Sequence, residues 1–337
     1  GLCSAGLAFS LGAALRAELG AELDLRNWLD LVAIGTIADV APLSGDNRRL
    51  VRAGLKAIGS PKTRPALAAL RKAAKIPEAA QITAQDIAFR FAPRLNAPGR
   101  LGAADLTLRF LMAKTPKQAW RLLDEVEVQN DERKALTQRA TEEARVQVRE
   151  LYGDAPEEGI VVGSEGWHRG VVGIVAARLV DSFGVPAVVI ALDGEQGHGS
   201  ARTTGDCDVY QALSACAEHL GAWGGHRAAA GLSLDKGALD AFRAAFLGAT
   251  QGIGGNDARK VEVDVALGGA FRIPTVEDLQ RLGPFGECHP APTFMLDAHV
   301  VEAAGVGEGR AHGKLKLRVG QDTVRAFAPG MFSRVEG

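Results

Sequence analysis

Cysteine is scarce in this sequence and follows no pattern. The 4 cysteines among 337 residues, Cys3, Cys207, Cys216 and Cys288, stand far apart with no CxxC spacing. That argues against a zinc site built from these thiols and against a disulfide framework; inert reduced thiols in a cytoplasmic protein are expected. Long hydrophobic runs are also missing. None reaches the roughly 18 residues that a membrane span needs, so a soluble protein without a membrane partner is expected. The opening "GLCSAGLAFSLGAALRAELG" has an apolar stripe, but Arg16 and Glu18 interrupt it and no basic segment precedes it, unlike a secretory signal. No period recurs along the chain, which removes repeat architectures. Charge of one sign is not in excess either. A formal net charge of -1 argues against a protein that coats nucleic acid by global attraction. Local basic grooves remain open, because the field depends on where charges sit.

What is present is enough chain for two or three domains, each with an apolar core. Residues 1–113 alternate short apolar runs with helical ones. "WLDLVAIGTIADVAPL" reads as a helix or strand running into a Gly/Pro-punctuated loop, and "DNRRLVRAGLKAI" places Leu50, Val51, Gly54, Leu55 and Ile58 at helical spacing. In "TAQDIAFRF", Thr83 and Asp86 form a relative of the capping box. This helix is expected to stop before Pro93, because the residue preceding proline is pushed out of helical geometry. "FAPRLNAPGRLG" (Phe91–Gly102) then reads as a loop carrying two arginines and stiffened by Pro93 and Pro98.

Residues 114–152 read differently. Thr115 caps, Pro116 takes the first turn, and neither glycine nor proline interrupts the 36 residues from Lys117 to Tyr152. Leu122, Val126, Leu136, Ala140, Ala144, Val148 and Leu151 trace a narrow stripe, broken at Asn130 and Arg133. A coiled coil would need an apolar pair there, so the spacing predicts one helix, on the order of 50 Å long, joining two domains. From residue 153 to 252, "IVVGSEGW", "PAVVIAL" and "GHGSARTT" read as strands, and the helix "GVVGIVAARLVDSFG" between the first two makes a βαβ unit. Residues 257–337 hold short alternating strands, "KVEVDVAL", "TFMLDAHVVEAAGV", "KLKLRVG" and "TVRAFAPGMF", which suggest a small antiparallel barrel, complete or not.

Several stretches carry chemistry. Asp39 follows an apolar run, where a carboxylate wants a counter-charge; a divalent cation would supply one, and a turn aspartate is the plain alternative. Arg94, Asn96 and Arg100 suit phosphate oxygens. His168 and Arg169 precede a helix that begins near Gly170, and helix N-termini favour anions. Ser200 and Arg202 alternate on one strand face. Gly224 and Gly225 permit close backbone approach, beside His226. Lys314, Lys316 and Arg318 share one face of a strand, which reads as basic and free of acids.

Taken in order, "GTIADVAPL", "RLNAPGRLG", "QNDERK", "SEGWHRGVVGIVAARL", "GSART" and "GGHRAAAG" resemble the RecJ family of single-strand-specific 5′→3′ exonucleases, within the DHH phosphoesterase superfamily. The resemblance runs over essentially the whole chain. It implies an α/β protein with two α/β domains, of DHH and DHHA1 type, joined by a long helix and followed by a small β-barrel of OB type. On this division residues 1–113 are the C-terminal part of the catalytic domain, 114–152 the helix, 153–252 the DHHA1 domain and 257–337 the barrel. By position, Asp39 matches the last metal-binding aspartate of the catalytic domain. Arg94, Asn96 and Arg100 match its arginine-rich motif, with His226 as a further catalytic group. His168, Arg169, Ser200, Arg202, Gly224 and Gly225 match the motifs that line the nucleotide groove. Lys314, Lys316 and Arg318 would meet the strand on the barrel.

The resemblance further implies Mn2+ or Mg2+, two ions in a complete site, and release of 5′-mononucleotides from single-stranded DNA in recombination and repair. A single-strand-binding protein and a repair helicase are the expected protein partners of a monomer. One departure is large: no Asp-His-His triplet occurs in these 337 residues. In the family that segment lies upstream, so the sequence reads as one lacking its N-terminal part. One carboxylate does not hold two ions. Two other functions stay open at this point. One is a DHH/DHHA1 phosphoesterase acting on short oligonucleotides or cyclic dinucleotides; the other is a binding relative without catalysis.

Overall fold

The computed structural model describes residues 1–203, 205, 207–251, 262–267 and 274–332. Up to residue 113 every described element is helical: α1 (Ser4–Leu19), α2 (Leu29–Ala38), α3 (Gly45–Ile58), α4 (Pro65–Ala73), the short α5 (Ala84–Asp86), α6 (Ala92–Arg100) and α7 (Ala104–Leu111). "LDLVAIGTIA" is thus a helix, and its apolar residues are buried on most sides. It crosses α3 at Gly54, where a Cβ would overlap the Leu29 carbonyl oxygen. Glycine is there because two helix backbones touch.

The capping box at Thr83 and Asp86 forms as expected, but the loop after it does not. Phe91–Gly102 is not a loop: Ile87–Phe91 is a turn of π-helix that runs straight into α6. The expectation failed because the widened turn absorbs the proline. The Ala92 N–H reaches back to the Ile87 carbonyl, one residue further than in an α-helix, and the chain stays helical around a residue that has no N–H. Pro93 then occupies the first turn, where proline is tolerated. The arginines therefore stand on a rigid helix.

Helix α8 (Pro116–Tyr152) runs unbroken for 37 residues. Its first half, through Ala119, Leu122, Leu123 and Val126, completes the core of the helical domain with Phe91 and Phe110. Its second half, through Ala140, Ala144 and Val148, enters a different core. The interruption of the apolar stripe at Asn130 and Arg133 falls between the two.

The second core is built on a five-stranded sheet in the order β1-β2-β3-β5-β4. Strand β1 (Ile160–Ser164) pairs in parallel with β2 (Ala187–Asp193) through α9 (Val172–Phe183), the βαβ unit read from the sequence. Strands β3 (Gln196–Arg202), β5 (Ala229–Asp235) and β4 (Ala222–His226) add on antiparallel. Helices α8 and α9 cover one face, and α10 (Val209–Ala215) with α11 (Leu239–Thr250) cover the other. Near-continuous apolar runs such as "AVVIAL" are what a sheet buried on both faces requires.

Beyond it, β6 (Val265–Leu267) pairs in parallel with β7 (Phe294–Leu296), and β8 (His299–Val306), β9 (His312–Val319) and β10 (Asp322–Ala328) form an antiparallel sheet. Among the described residues this is a pair and a three-stranded sheet, not a closed barrel. The opening of "KVEVDVAL" and the boundary at 252–257 lie outside the described residues. Helix α12 (Val276–Leu282) precedes β7 and sits against the helical domain. Arg48 and Arg52 donate to the Leu282 and Arg281 carbonyls at 2.6 and 3.0 Å, and the Leu43 N–H donates to the Glu287 carbonyl at 2.7 Å.

Candidate nucleic-acid interface

Three elements converge on one cleft of about 690 Å³. The end of α6 contributes Gly99, Arg100 and Gly102; the turn into α9 contributes His168, Arg169, Gly170 and Gly173; the α9-side face of β3 contributes His198, Ser200 and Arg202. It lies between the helical domain and the sheet domain, which touch at their backbones. A Cβ on Gly170 would overlap the Arg100 carbonyl oxygen, and Arg100 Nη1 donates to the Gly170 carbonyl at 3.1 Å. The Gly170 N–H in turn donates to His168 Nδ1 at 3.0 Å, which fixes the imidazole over the start of α9.

On β3 the alternation places Ser200 and Arg202 side by side. Arg202 Nη1 donates to Ser200 Oγ at 2.6 Å and to the Ala201 carbonyl at 2.7 Å. Gly173 leaves room above them, since a Cβ there would come within 2.9 Å of Arg202 Nη2. The guanidinium is partly buried, and burial, then the charge of Arg100, lowers its pKa from the usual arginine range. Among the described residues its hydrogen-bond partners in the cleft are neutral, so none of them offsets that charge. An anion would.

The face continues across the sheet. Ser200 is in register with Gly231 and Gly224, and Arg202 with Ala229 and His226. Gly224 and His226 therefore lie on the same side as Ser200 and Arg202, about 10 Å away across two strand spacings. Beta carbons at Gly231 or Gly224 would meet open space, so this lane has a floor without side chains. Gly225 has a different cause: at φ 151° its missing Cβ avoids the Ala229 and Ala230 backbone. "GGH" is thus an exposed edge strand and not a loop.

Other expected residues are placed differently. Arg94 does not face the cleft freely: its Nε is paired with Glu127 of α8, and its Nη1 donates to the Arg90 carbonyl at 2.7 Å. Helical geometry turns it toward α8, while Asn96 and Arg100 remain exposed. The face of β9 is not free of acids, because Lys316 pairs with Glu302 of β8 at 2.9 Å. Lys314 and Arg318 are exposed, and Arg325 stands beside Lys316 across the β9–β10 register.

Asp39 caps the C-terminus of α2 and is exposed. Among the described residues no three His, Cys, Asp or Glu side chains come together in a way that would hold a metal ion. A divalent ion needs several oxygen ligands, so these residues alone do not make a metal centre.

Sequence reasoning missed four residues. His198 sits two positions before Ser200 and by simple alternation shares its face. Arg325 is across from Lys316. Arg133 and Arg178 bond to Asn130 and Thr141 of α8, and the broken stripe at Asn130 and Arg133 was the signal for the first of them.

Comparison with known proteins gives this geometry a context. Residues 157–251 match the DHHA1 domain, and residues 267–336 match the RecJ OB domain. The chain is 34% identical over 325 residues to the single-stranded-DNA-specific exonuclease RecJ of Bacillus subtilis, covering 94% of this chain and 40% of that protein. It is 36% identical over 309 residues to the protein of the same name from Thermus thermophilus, covering 91% and 44%. The crystal structure of RecJ in complex with Mg2+ from Thermus thermophilus matches with a TM-score of 0.80 at 32% identity, over 96% of this chain and 49% of that one. A structure of exonuclease RecJ bound to manganese matches with a TM-score of 0.58 at 34% identity, over 73% and 60%. The chain therefore spans about half the length of the relatives it matches. With both domain models in the expected order and likeness along nearly all of its own length, the chain belongs to the RecJ family.

Proposed function

We propose that this chain supplies the strand-holding part of a single-strand-specific DNA exonuclease that works from the 5′ end with Mg2+ or Mn2+. The observation that carries the reading is the cleft between α6 and the β3 face, where Arg100 and Arg202 come together with no carboxylate among the described lining residues. Relatives bearing that activity as their name support it. Ser200, Arg202, His168 and Arg169 hold the terminal phosphate, Asn96 and Arg100 fix the backbone beside it, and His226 with Gly224 and Gly225 flanks the lane across β4. Arginine forks match phosphate oxygens and read no sequence. A narrow single-strand lane with glycine floors admits stacked bases but no duplex. Bound divalent ions would supply the activated water and charge neutralisation for hydrolysis. We assign Asp39 to that site as one carboxylate of several, and derive no step through the ions from the residues present. The domain division at 113, 152 and 252, a monomeric state, a cytoplasmic location, a role in recombination and repair, and contacts with a single-strand-binding protein and a helicase belong to the same proposal. Among the described residues no helix is long and apolar enough to cross a membrane.

The test is cleavage of end-labelled strands with Mn2+ or Mg2+ by a complete enzyme in which this chain is joined to a family metal-binding segment, comparing single strands, duplexes and dinucleotides. Mononucleotides released in order from the 5′ end of single strands, and their loss on chelation, are expected. Turnover confined to dinucleotides or cyclic dinucleotides would move the chain to a short-oligonucleotide phosphoesterase, and tight strand binding without release to a non-catalytic binder.

The β8–β10 sheet makes a separate prediction. If its exposed basic face follows the DNA backbone away from the cut, Lys314→Ala should lower the salt slope of strand binding by about one unit. Lys316→Ala should lower it less, because Glu302 already neutralises that ammonium. Equal slopes for the wild type and Lys314→Ala, measured by anisotropy over a salt series, would remove this face from the DNA path.

A further inference from the structure

A second group of guanidinium ions gathers where α8 passes from one core to the other. Arg133 interrupts the apolar stripe at this point. Its Nη2 donates to Asn130 Oδ1 at 2.8 Å, and its Nε is buried without a hydrogen-bond partner. Asn130 is 1% exposed, and its amide nitrogen donates to Glu127, the carboxylate that also takes Arg94. The local acids are therefore committed elsewhere: Glu127 to Arg94, Asp131 to Lys134, and Glu143 to Arg139. Arg178 of α9 reaches across to Thr141 Oγ1 of α8 at 3.2 Å.

These arginines crowd one another. Burial, then the charges of Arg100 and Arg178, lower the pKa of Arg133, and Arg100 acts in the same sense on Arg202. Arg100 thus acts on both Arg202 and Arg133, and Arg178 acts on Arg133. Among the described residues no ion pair engages any of the four, and their hydrogen-bond partners are neutral. Arg94, on the same stretch of the junction, is by contrast matched with a carboxylate, Glu127. A row of mutually repelling guanidinium groups, one of them holding a buried unpaired N–H, is arranged for an anion that arrives from outside.

We propose that Arg133 and Arg178 form a second anion subsite, joined to the cleft through Arg100, which takes an internal phosphodiester of the bound strand next to the phosphate at Ser200 and Arg202. The subsite rests on the single-strand reading given above. It lies on α8 and α9 and not on the DHHA1 strands, so it would hold the strand at the point where the two domains meet. Asn130 is a positioning residue here: it ties the Arg133 fork to the Glu127–Arg94 pair on the other domain.

The test uses the 337-residue chain and 5′-phosphorylated single strands in which one linkage at a time is a neutral methylphosphonate. For the wild type, one internal linkage near the 5′ end should cost about tenfold in affinity when neutralised, as expected for loss of a charge-assisted contact. Arg133→Gln should lose a similar factor on the all-phosphate strand, become indifferent to that linkage and show a salt slope smaller by about one. Arg133→Lys should keep the slope. Arg178→Gln, at an exposed position whose loss leaves the cores intact, should become indifferent to the same linkage. An Arg133→Gln variant with the wild-type linkage profile and slope would overturn the subsite while leaving the exonuclease reading in place. A wild-type chain that binds no single strand would overturn both. Loss of fold alone would lower affinity evenly at every linkage, and that outcome also counts against the subsite.

Discussion

Arg202→Ala should weaken binding of a 5′-phosphorylated strand by roughly 10- to 150-fold, the equivalent of about 1.5–3 kcal/mol for hydrogen bonds to a charged group, and of a 5′-hydroxyl strand far less. The guanidinium is held in place before any ligand arrives, by Ser200 Oγ and the Ala201 carbonyl, so little ordering opposes its use. Burial and the nearby Arg100 make it an uncomfortable cation on its own, and a dianionic phosphate would relieve both. Titration of the two strands by anisotropy at fixed salt decides the point. Equal losses on both would make Arg202 a general backbone contact and move the end of the strand elsewhere. Ser200→Ala should reproduce the preference in weaker form, because it removes one hydroxyl and frees the arginine to swing.

Gly170→Ala should cost strand binding roughly tenfold or more, corresponding to the 1–3 kcal/mol of strain that an inserted methyl imposes in a packed site. The added Cβ would sit on the Arg100 carbonyl, so the turn into α9 and the end of α6 must separate. The Arg100–Gly170 hydrogen bond and the His168 imidazole would shift with them. Because the contact lies between two cores and not inside one, thermal unfolding of each should change little. Binding at wild-type strength by Gly170→Ala would show that the cleft tolerates a wider mouth and that its residues act separately. Gly54→Ala makes a useful contrast: the same overlap inside the α2–α3 contact should lower stability with no specific effect on 5′-phosphate preference.

Periodicity alone located much of this. The βαβ unit and the long helix follow from spacing, and so does the shared face of Ser200 and Arg202. The break at Asn130 and Arg133 was visible as a departure from apolar spacing, although nothing local showed that it marks the gap between two cores. The failures have a common physical origin, which is a partner distant in sequence. Arg94 is turned from the cleft by Glu127, 33 positions on. Lys316 is neutralised by Glu302 through a strand register that alternation does not predict. The loop expected over Phe91–Gly102 failed for a nearer reason: rules for proline assume α geometry, and one turn of π-helix escapes them. Close backbone approach at Gly224 and Gly225 could be read from composition, but that "GGH" ends an exposed edge strand could not. For the metal site the sequence offers Asp39, and among the described residues no His, Cys, Asp or Glu cluster gathers that could hold an ion.

The continuity of α8 has a consequence for how the two halves are aligned. Because one uninterrupted helix enters both cores, the angle between them is counted in residues. Adding a single residue between Asn130 and Thr137 would advance the sheet domain by about 1.5 Å and rotate it by about 100° about the helix axis. Arg133 and Arg100 would then no longer share a side with Arg178 and Arg202. Adding seven would restore the phase to within about 20°, at a spacing about 10 Å greater. The helix thus behaves as a keyed shaft, and the register of its turns, more than its stiffness, determines whether the two walls face the same phosphate.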